Sequence, residues 1–169
     1  MLLVAMPKSA STSLMATLGV ACGLPATQVM FPDNPWPHYA DFSALPRLHS
    51  DARELTEEQA RKFGVRNAIF KQHVLPTSNN LSWLARSPVL LLTREPYEVI
   101  GAYRRSDQLL GIERSEFRGC KSTAQWLVRA EEIGLMDDLR SFREKWETVA
   151  QGVVTFEQLM KTPDQALAT

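Results

Sequence analysis

The chain has 169 residues, 44% of them hydrophobic, enough to bury a core, and one domain over residues 1–169 is expected. Nineteen Lys and Arg balance nineteen Asp and Glu, so no global field draws it to nucleic acid or a membrane, and any anion site must be local. Cys22 and Cys120 form neither a disulfide framework nor a metal spacing.

Leu2 to Met6 reads as a short buried strand, since a continuous apolar run of this length suits a parallel sheet. A secretory leader is the competing reading. No Lys or Arg precedes the run, and Pro7-Lys8-Ser9 interrupts it, so a cytoplasmic protein is expected. Thr12 to Ala21 reads as a helix, capped by Ser11 or Thr12 and stopped at Gly23. Residues 24–50, with "FPDNPWPHY", read as a long irregular loop of the kind that holds a substrate. Its Trp36, His38, Tyr39 and Phe42 either line an acceptor pocket or anchor the loop to the core.

Thr56-Glu57-Glu58-Gln59 is a capping-box signature, opening a helix that ends near Gly64. Arg66 to Lys71 gives a second strand, then a loop and a short helix around Leu81 to Arg86. Val89 to Thr93 is the clearest buried strand, and Pro96 opens a helix running to about Ser106. Trp126, Leu127, Ala130 and Ile133 recur at helical spacing, as do Leu139, Phe142, Trp146 and Val149. Gly152 to Phe156 is a last strand, and Thr162-Pro163-Asp164 opens a terminal helix. The alternation predicts a three-layer α/β/α fold with a mostly parallel sheet, whose ligands bind at the carboxyl ends of the strands.

Chemistry-bearing residues fall at those ends. A strand that turns directly into a helix presents free backbone N–H groups and a positive dipole end at the turn. Lys8, with the hydroxyls of Ser9, Ser11, Thr12 and Ser13 around Ala10, makes this turn suited to a phosphate. The plainer reading is a solvated lysine and serines that only cap the helix. The loop holds no glycine, so the Walker pattern is absent.

"PKSASTS" resembles the 5′-phosphate loop P-K-S-G-T-T-W of sulfotransferases that use 3′-phosphoadenosine 5′-phosphosulfate (PAPS). Three further segments follow in that family's order. "FKQHVLP" is similar to its K-T-H-L-P segment, "VLLLTREPYEVIGAYRR" to its R-D-P-x-D-x-x-x-S-x-Y motif, and "VVTFEQLMKTPDQAL" to its strand followed by Y-E-D-L and a Pro-started helix. The resemblance implies a P-loop NTPase-like sulfotransferase fold, with PAPS as co-substrate, 3′,5′-adenosine bisphosphate as product, and no metal. His73 would be the general base, and Lys71 and Lys8 would stabilise the transferring sulfuryl group. Residues Lys8, Ser9, Ala10, Ser11, Thr12 and Ser13 would hold the 5′-phosphate, and Arg94 with position Ala102 the 3′-phosphate. The implied acceptor is a small molecule or carbohydrate. Ala10, Ser13 and Ala102 stand where the family has glycine, tryptophan and serine, and its carboxy-terminal arginine–lysine–glycine segment has no counterpart before Thr169. Two alternatives stay open: a non-catalytic nucleotide-binding relative, and a P-loop kinase. Arg94 has a structural alternative too, as the partner of Glu98 at a helix end.

Overall fold

The structure, a computed structural model, describes residues 1–28, 52–64, 67–106 and 116–167, with side chains for all of these except residues 164 and 167. Strand β1 (Leu2–Ala5) is buried at every position. That is the pattern of a strand with neighbours on both edges and helices on both faces. It occupies the centre of a five-stranded sheet ordered β2-β3-β1-β4-β5, with β2 Ala26–Gln28, β3 Ile69–Gln72, β4 Val89–Thr93 and β5 Gly152–Thr155. Every pairing is parallel. Val4 lies opposite Gln72 on one side and Leu91 on the other, so the strands end nearly level.

Alternation along the strands sorts the core into two layers. On one face Leu3, Ala5, Ile69, Leu92 and Val154 pack on Leu14 and Leu18 of α1 (Ser11–Cys22). Helices α7 (Phe156–Lys161) and α8 (Pro163–Leu167) join this layer through Leu159 and Ala166. On the other face Leu2, Val4, Met6, Val89 and Leu91 belong to a larger cluster. Its helices are α2 (Glu57–Lys62), α3 (Ser78–Leu84), α4 (Pro96–Arg105), α5 (Thr123–Glu132) and α6 (Leu135–Glu147). Phe142 and Trp146 of α6 are fully buried there. Truncating either to Ala would cost about 3–5 kcal/mol. The expected three-layer α/β/α architecture is the one observed.

Local signals explain most boundaries. Thr56 and Gln59 form the reciprocal capping box expected of them, and Ser122 with Gln125 and Thr155 with Gln158 form two more. The long Pro-rich span does not begin as irregular loop: Ala26–Gln28 pair in parallel with β3. Gly19 lets α1 lie against this strand, because a Cβ there would stand 2.7 Å from that of Ala26. Helix α1 starts at Ser11, with Ala10 in the cap position and no side-chain cap, rather than with Ser11 or Thr12 as cap. Leu14 N–H donates to the Ala10 carbonyl, which closes the first helical turn one residue earlier. Helix α3 begins at Ser78, three residues before the expected position, because the Thr77 hydroxyl accepts from the Asn80 N–H. The strand expected to run to Phe156 stops at Thr155, where the capping box starts α7. Trp36, His38, Tyr39, Phe42 and the start of the expected strand at Arg66 lie outside the described residues.

Candidate functional site

Parallel, level strands bring the residues that follow each of them to one edge of the sheet. Met6 follows β1, His73 follows β3, Arg94 follows β4 and Phe156 follows β5. The turn after β1 is closed by the Ser9 hydroxyl, which donates to the Met6 carbonyl over 2.6 Å. Lys8 and Ala10 both take left-handed backbone conformations, with φ of 59° and 62°. Ser9 and Ser11 are buried, Thr12 and Ser13 are exposed, and Lys8 is half-buried. The first turn of α1 has no side-chain cap, so its N–H groups and dipole face this edge. Nζ of Lys8 sits 5.5 Å from the centroid of the Tyr103 ring, which places α4 beside the loop.

Arg94 ties the loop to β4 and β5. Its Nη1 donates to the Lys8 carbonyl over 2.8 Å, and its Nη2 pairs with Glu98 at 3.1 Å. The guanidinium lies 3.9 Å above the Phe156 ring, and its buried Nε has no hydrogen-bond partner. The helix-end ion pair with Glu98 is therefore present. Ala102 lies one helical turn beyond Glu98, half-buried. A cavity of about 340 Å³ opens beside Arg94, lined also by Met6, Glu95, Pro96, Leu139 and Arg143. A larger apolar groove of about 700 Å³ runs along β4 and β5 past Pro88 and Gln151, toward the opposite end of the sheet from these residues.

His73 is the most firmly held of the expected site residues. Its Nδ1 lies 2.7 Å from the Ala5 carbonyl, the last residue of β1. A carbonyl only accepts, so Nδ1 carries the proton and the lone pair of the neutral ring falls on Nε2. The main chain around it is pinned from three sides. Arg53 N–H donates to the His73 carbonyl and Leu75 N–H to the Arg53 carbonyl. Trp146 Nε1 donates to the Val74 carbonyl over 2.9 Å, and Asn80 Nδ2 to that of Leu75 over 2.8 Å.

Lys71 is two residues back, on β3, and only 5% exposed. Its Nζ donates to Gln28 Oε1 over 3.0 Å, and no carboxylate among the described residues pairs with it. Burial pushes its pKa below the ordinary lysine value. Lys71 lies on β3 and His73 just after it, Lys8 lies in the turn after the neighbouring β1, and Arg94 follows β4 on the far side of β1. Among the described residues no three His, Cys, Asp or Glu side chains gather as a metal site. Sequence reasoning missed Gln28, whose register opposite Lys71 is visible only once β2 is paired. It also missed Asn80, whose one sequence signal was the helix start at Thr77.

No protein-family model matches the sequence, and no curated protein matches it either. Among solved structures, the chain is similar to shikimate kinase from Bacteroides thetaiotaomicron, with a TM-score of 0.58 at 13% identity over 99% of this chain and 97% of that one. It is also similar to a sulfotransferase from Alicyclobacillus acidocaldarius, with a TM-score of 0.51 at 16% identity over 98% of this chain and 76% of that one. The fold is that of P-loop-like kinases and sulfotransferases. At these identities the likeness is one of fold.

Proposed function

We propose that the protein is a sulfotransferase that moves a sulfuryl group from PAPS to a hydroxyl or amine of a small-molecule or carbohydrate acceptor in the cytoplasm. The observation that carries this reading is the bond from His73 to Ala5, with Lys71 and Lys8 at the same strand ends. Backbone N–H groups at Lys8 to Ser13 hold the 5′-phosphosulfate, and Arg94 with the α4 face at Ala102 holds the 3′-phosphate. His73 takes the acceptor proton on Nε2 as the acceptor atom attacks sulfur. The sulfur–oxygen bond to the 5′-phosphate breaks, and 3′,5′-adenosine bisphosphate leaves. Lys8, Lys71 and the α1 dipole stabilise charge on the transferring group, which needs no metal.

The kinase reading has one observation in its favour, the near-complete mutual coverage with a shikimate kinase. Against it, β3 ends at Gln72 and is followed by His73, and β4 ends at Thr93 and is followed by Arg94, where phosphoryl transfer usually wants an aspartate for Mg²⁺. A non-catalytic relative would keep the nucleotide site and lack turnover. Calorimetric titration separates the three. Binding of 3′,5′-adenosine bisphosphate, with PAPS consumed in a screen of phenols, alcohols, amines and sugars, supports the sulfotransferase. Binding without consumption points to the non-catalytic relative, and binding of ATP with Mg²⁺ alone overturns the proposal in favour of a kinase.

A further inference from the structure

One rung of the sheet carries a buried charge with a polar neighbour on one side only. Residues opposite one another in neighbouring strands stand on the same face of the sheet. Gln28, Lys71, Leu3 and Leu90 pair in that order across β2, β3, β1 and β4. Leu3 and Leu90 belong to the apolar layer under α1, so Lys71 has a leucine on one side and Gln28 on the other. Lys71 is buried, whereas Gln28 is exposed on the edge strand. Nζ of Lys71 donates to Gln28 Oε1 over 3.0 Å. An ammonium only donates, so the amide must turn its oxygen toward it.

The elements packed most closely against β3 are β1, β2 and α1, and none of the three contains Asp, Glu, Lys, Arg or His. The titratable groups around this rung are His73, two residues on, Lys8 in the turn between β1 and α1, and exposed Cys22 at the end of α1. Glutamine has the length and the accepting oxygen of glutamate but brings no charge. It therefore holds Nζ without cancelling its field, and it takes one of the three N–H groups. A bond that only satisfied a buried donor would be made as well by glutamate.

We propose that Gln28 is a positioning residue for the transfer: its amide aims the Lys71 ammonium and leaves the charge unneutralised for the anionic sulfuryl group. A carboxylate at position 28 would hold Nζ as firmly and cancel its charge. An apolar side chain there would leave the ammonium buried without this partner and favour the neutral amine. The two substitutions push Lys71 in opposite directions, and both weaken its hold on an anion. A fixed, uncompensated cation is the form in which a lysine stabilises developing charge without reorganising. This inference rests on the sulfotransferase reading given above.

The test uses Gln28→Glu and Gln28→Met, both at an exposed position where the fold is not at risk. The titration of Lys71 is read by NMR from its Cε in isotope-labelled protein, with the signal assigned through Lys71→Met. Its midpoint should rise in Gln28→Glu and fall in Gln28→Met. Calorimetry compares PAPS with 3′,5′-adenosine bisphosphate, which lacks the sulfuryl group. Wild-type protein is expected to favour PAPS. Both variants should lose that preference by about tenfold, the scale of one charge-assisted bond, and keep the bisphosphate affinity within about twofold. With an acceptor from the screen, the alkaline limb of the kcat profile should move to lower pH in Gln28→Met and to higher pH in Gln28→Glu, which a merely structural role would not produce. If both variants leave the Lys71 midpoint at its wild-type value, Gln28 does not set the state of Lys71 and the inference is wrong, while a retained preference for PAPS leaves the sulfotransferase reading standing. If the midpoints move and the preference does not, Lys71 does not meet the sulfuryl group, and the inference is overturned. If wild-type protein binds neither nucleotide, the sulfotransferase reading falls and this inference falls with it.

Discussion

His73 Nδ1 and the carbonyl oxygen of Ala5 lie 2.7 Å apart, joining the loop after β3 to the last residue of β1. The bond crosses between adjacent strands at the edge where Lys8 also sits. It fixes the ring plane and the tautomer together, which are the two requirements for a histidine that accepts a proton through Nε2.

Replacing His73 with Asn keeps an N–H near the position of Nδ1 and removes the base. The fold and the affinity for 3′,5′-adenosine bisphosphate should be retained, and turnover with any identified acceptor should fall by about 10²–10⁴. Calorimetry and single-turnover rates measure the two effects separately. Normal turnover in this variant would show that His73 takes no proton.

Ala10 holds a left-handed conformation that costs an alanine about 1 kcal/mol relative to glycine. Ala10→Gly should therefore stabilise the protein by about 1 kcal/mol, partly offset by the freer unfolded chain. For a chain of this size that is a rise in the melting midpoint of about 2–4 °C. An unchanged or lower midpoint would mean that the turn is relaxed with alanine in place.

Much of the fold was legible because its signals are local. The apolar run at Val89 to Thr93, the capping box at Thr56 and Pro96 at a helix start each report their own element. Strand β2 was not legible: Ala26-Thr27-Gln28 has no apolar periodicity and is a strand only because β3 pairs with it. The site residues could be placed at strand ends from the order of elements alone. Their supports could not, because Asn80, Trp146 and Gln28 act over separations of tens of residues.

Asn80 is fully buried and uses both ends of its amide. Oδ1 accepts from the Leu55 N–H, while Nδ2 donates to the Leu75 and Arg53 carbonyls and to Glu54 Oε2. Asn80→Ala removes these bonds, although the Arg53 carbonyl keeps the Leu75 N–H, and a loss of about 3 kcal/mol is expected. The same change loosens the strap that holds the His73 carbonyl through Arg53. Hydrogen exchange should therefore speed up at Arg53 and Leu75 well before global unfolding. If those amides exchange no faster than in the wild type, Asn80 does not hold the histidine segment.

Lys71 gives a stability effect whose sign follows from its surroundings. Burial lowers its pKa from the ordinary 10.5, with Gln28 the hydrogen-bond partner seen. Between the lowered native value and 10.5 the unfolded chain binds more protons than the native one, so this residue makes stability rise with pH across that window. Below the window the cost of burying the ammonium is present in full, and near 10.5 it is relieved. Lys71→Met keeps the length of the side chain and removes the charge, while the exposed Gln28 amide can turn to water. The variant should melt higher than wild type at pH 7, with the gap closing as pH approaches 10.5, and it should lose turnover if Lys71 stabilises the transferring group. Denaturation curves from pH 7 to 10.5 measure the gap. A variant that is less stable at pH 7, with a gap that does not change with pH, would mean that the lysine is held charged without cost and that its burial does not shift its proton.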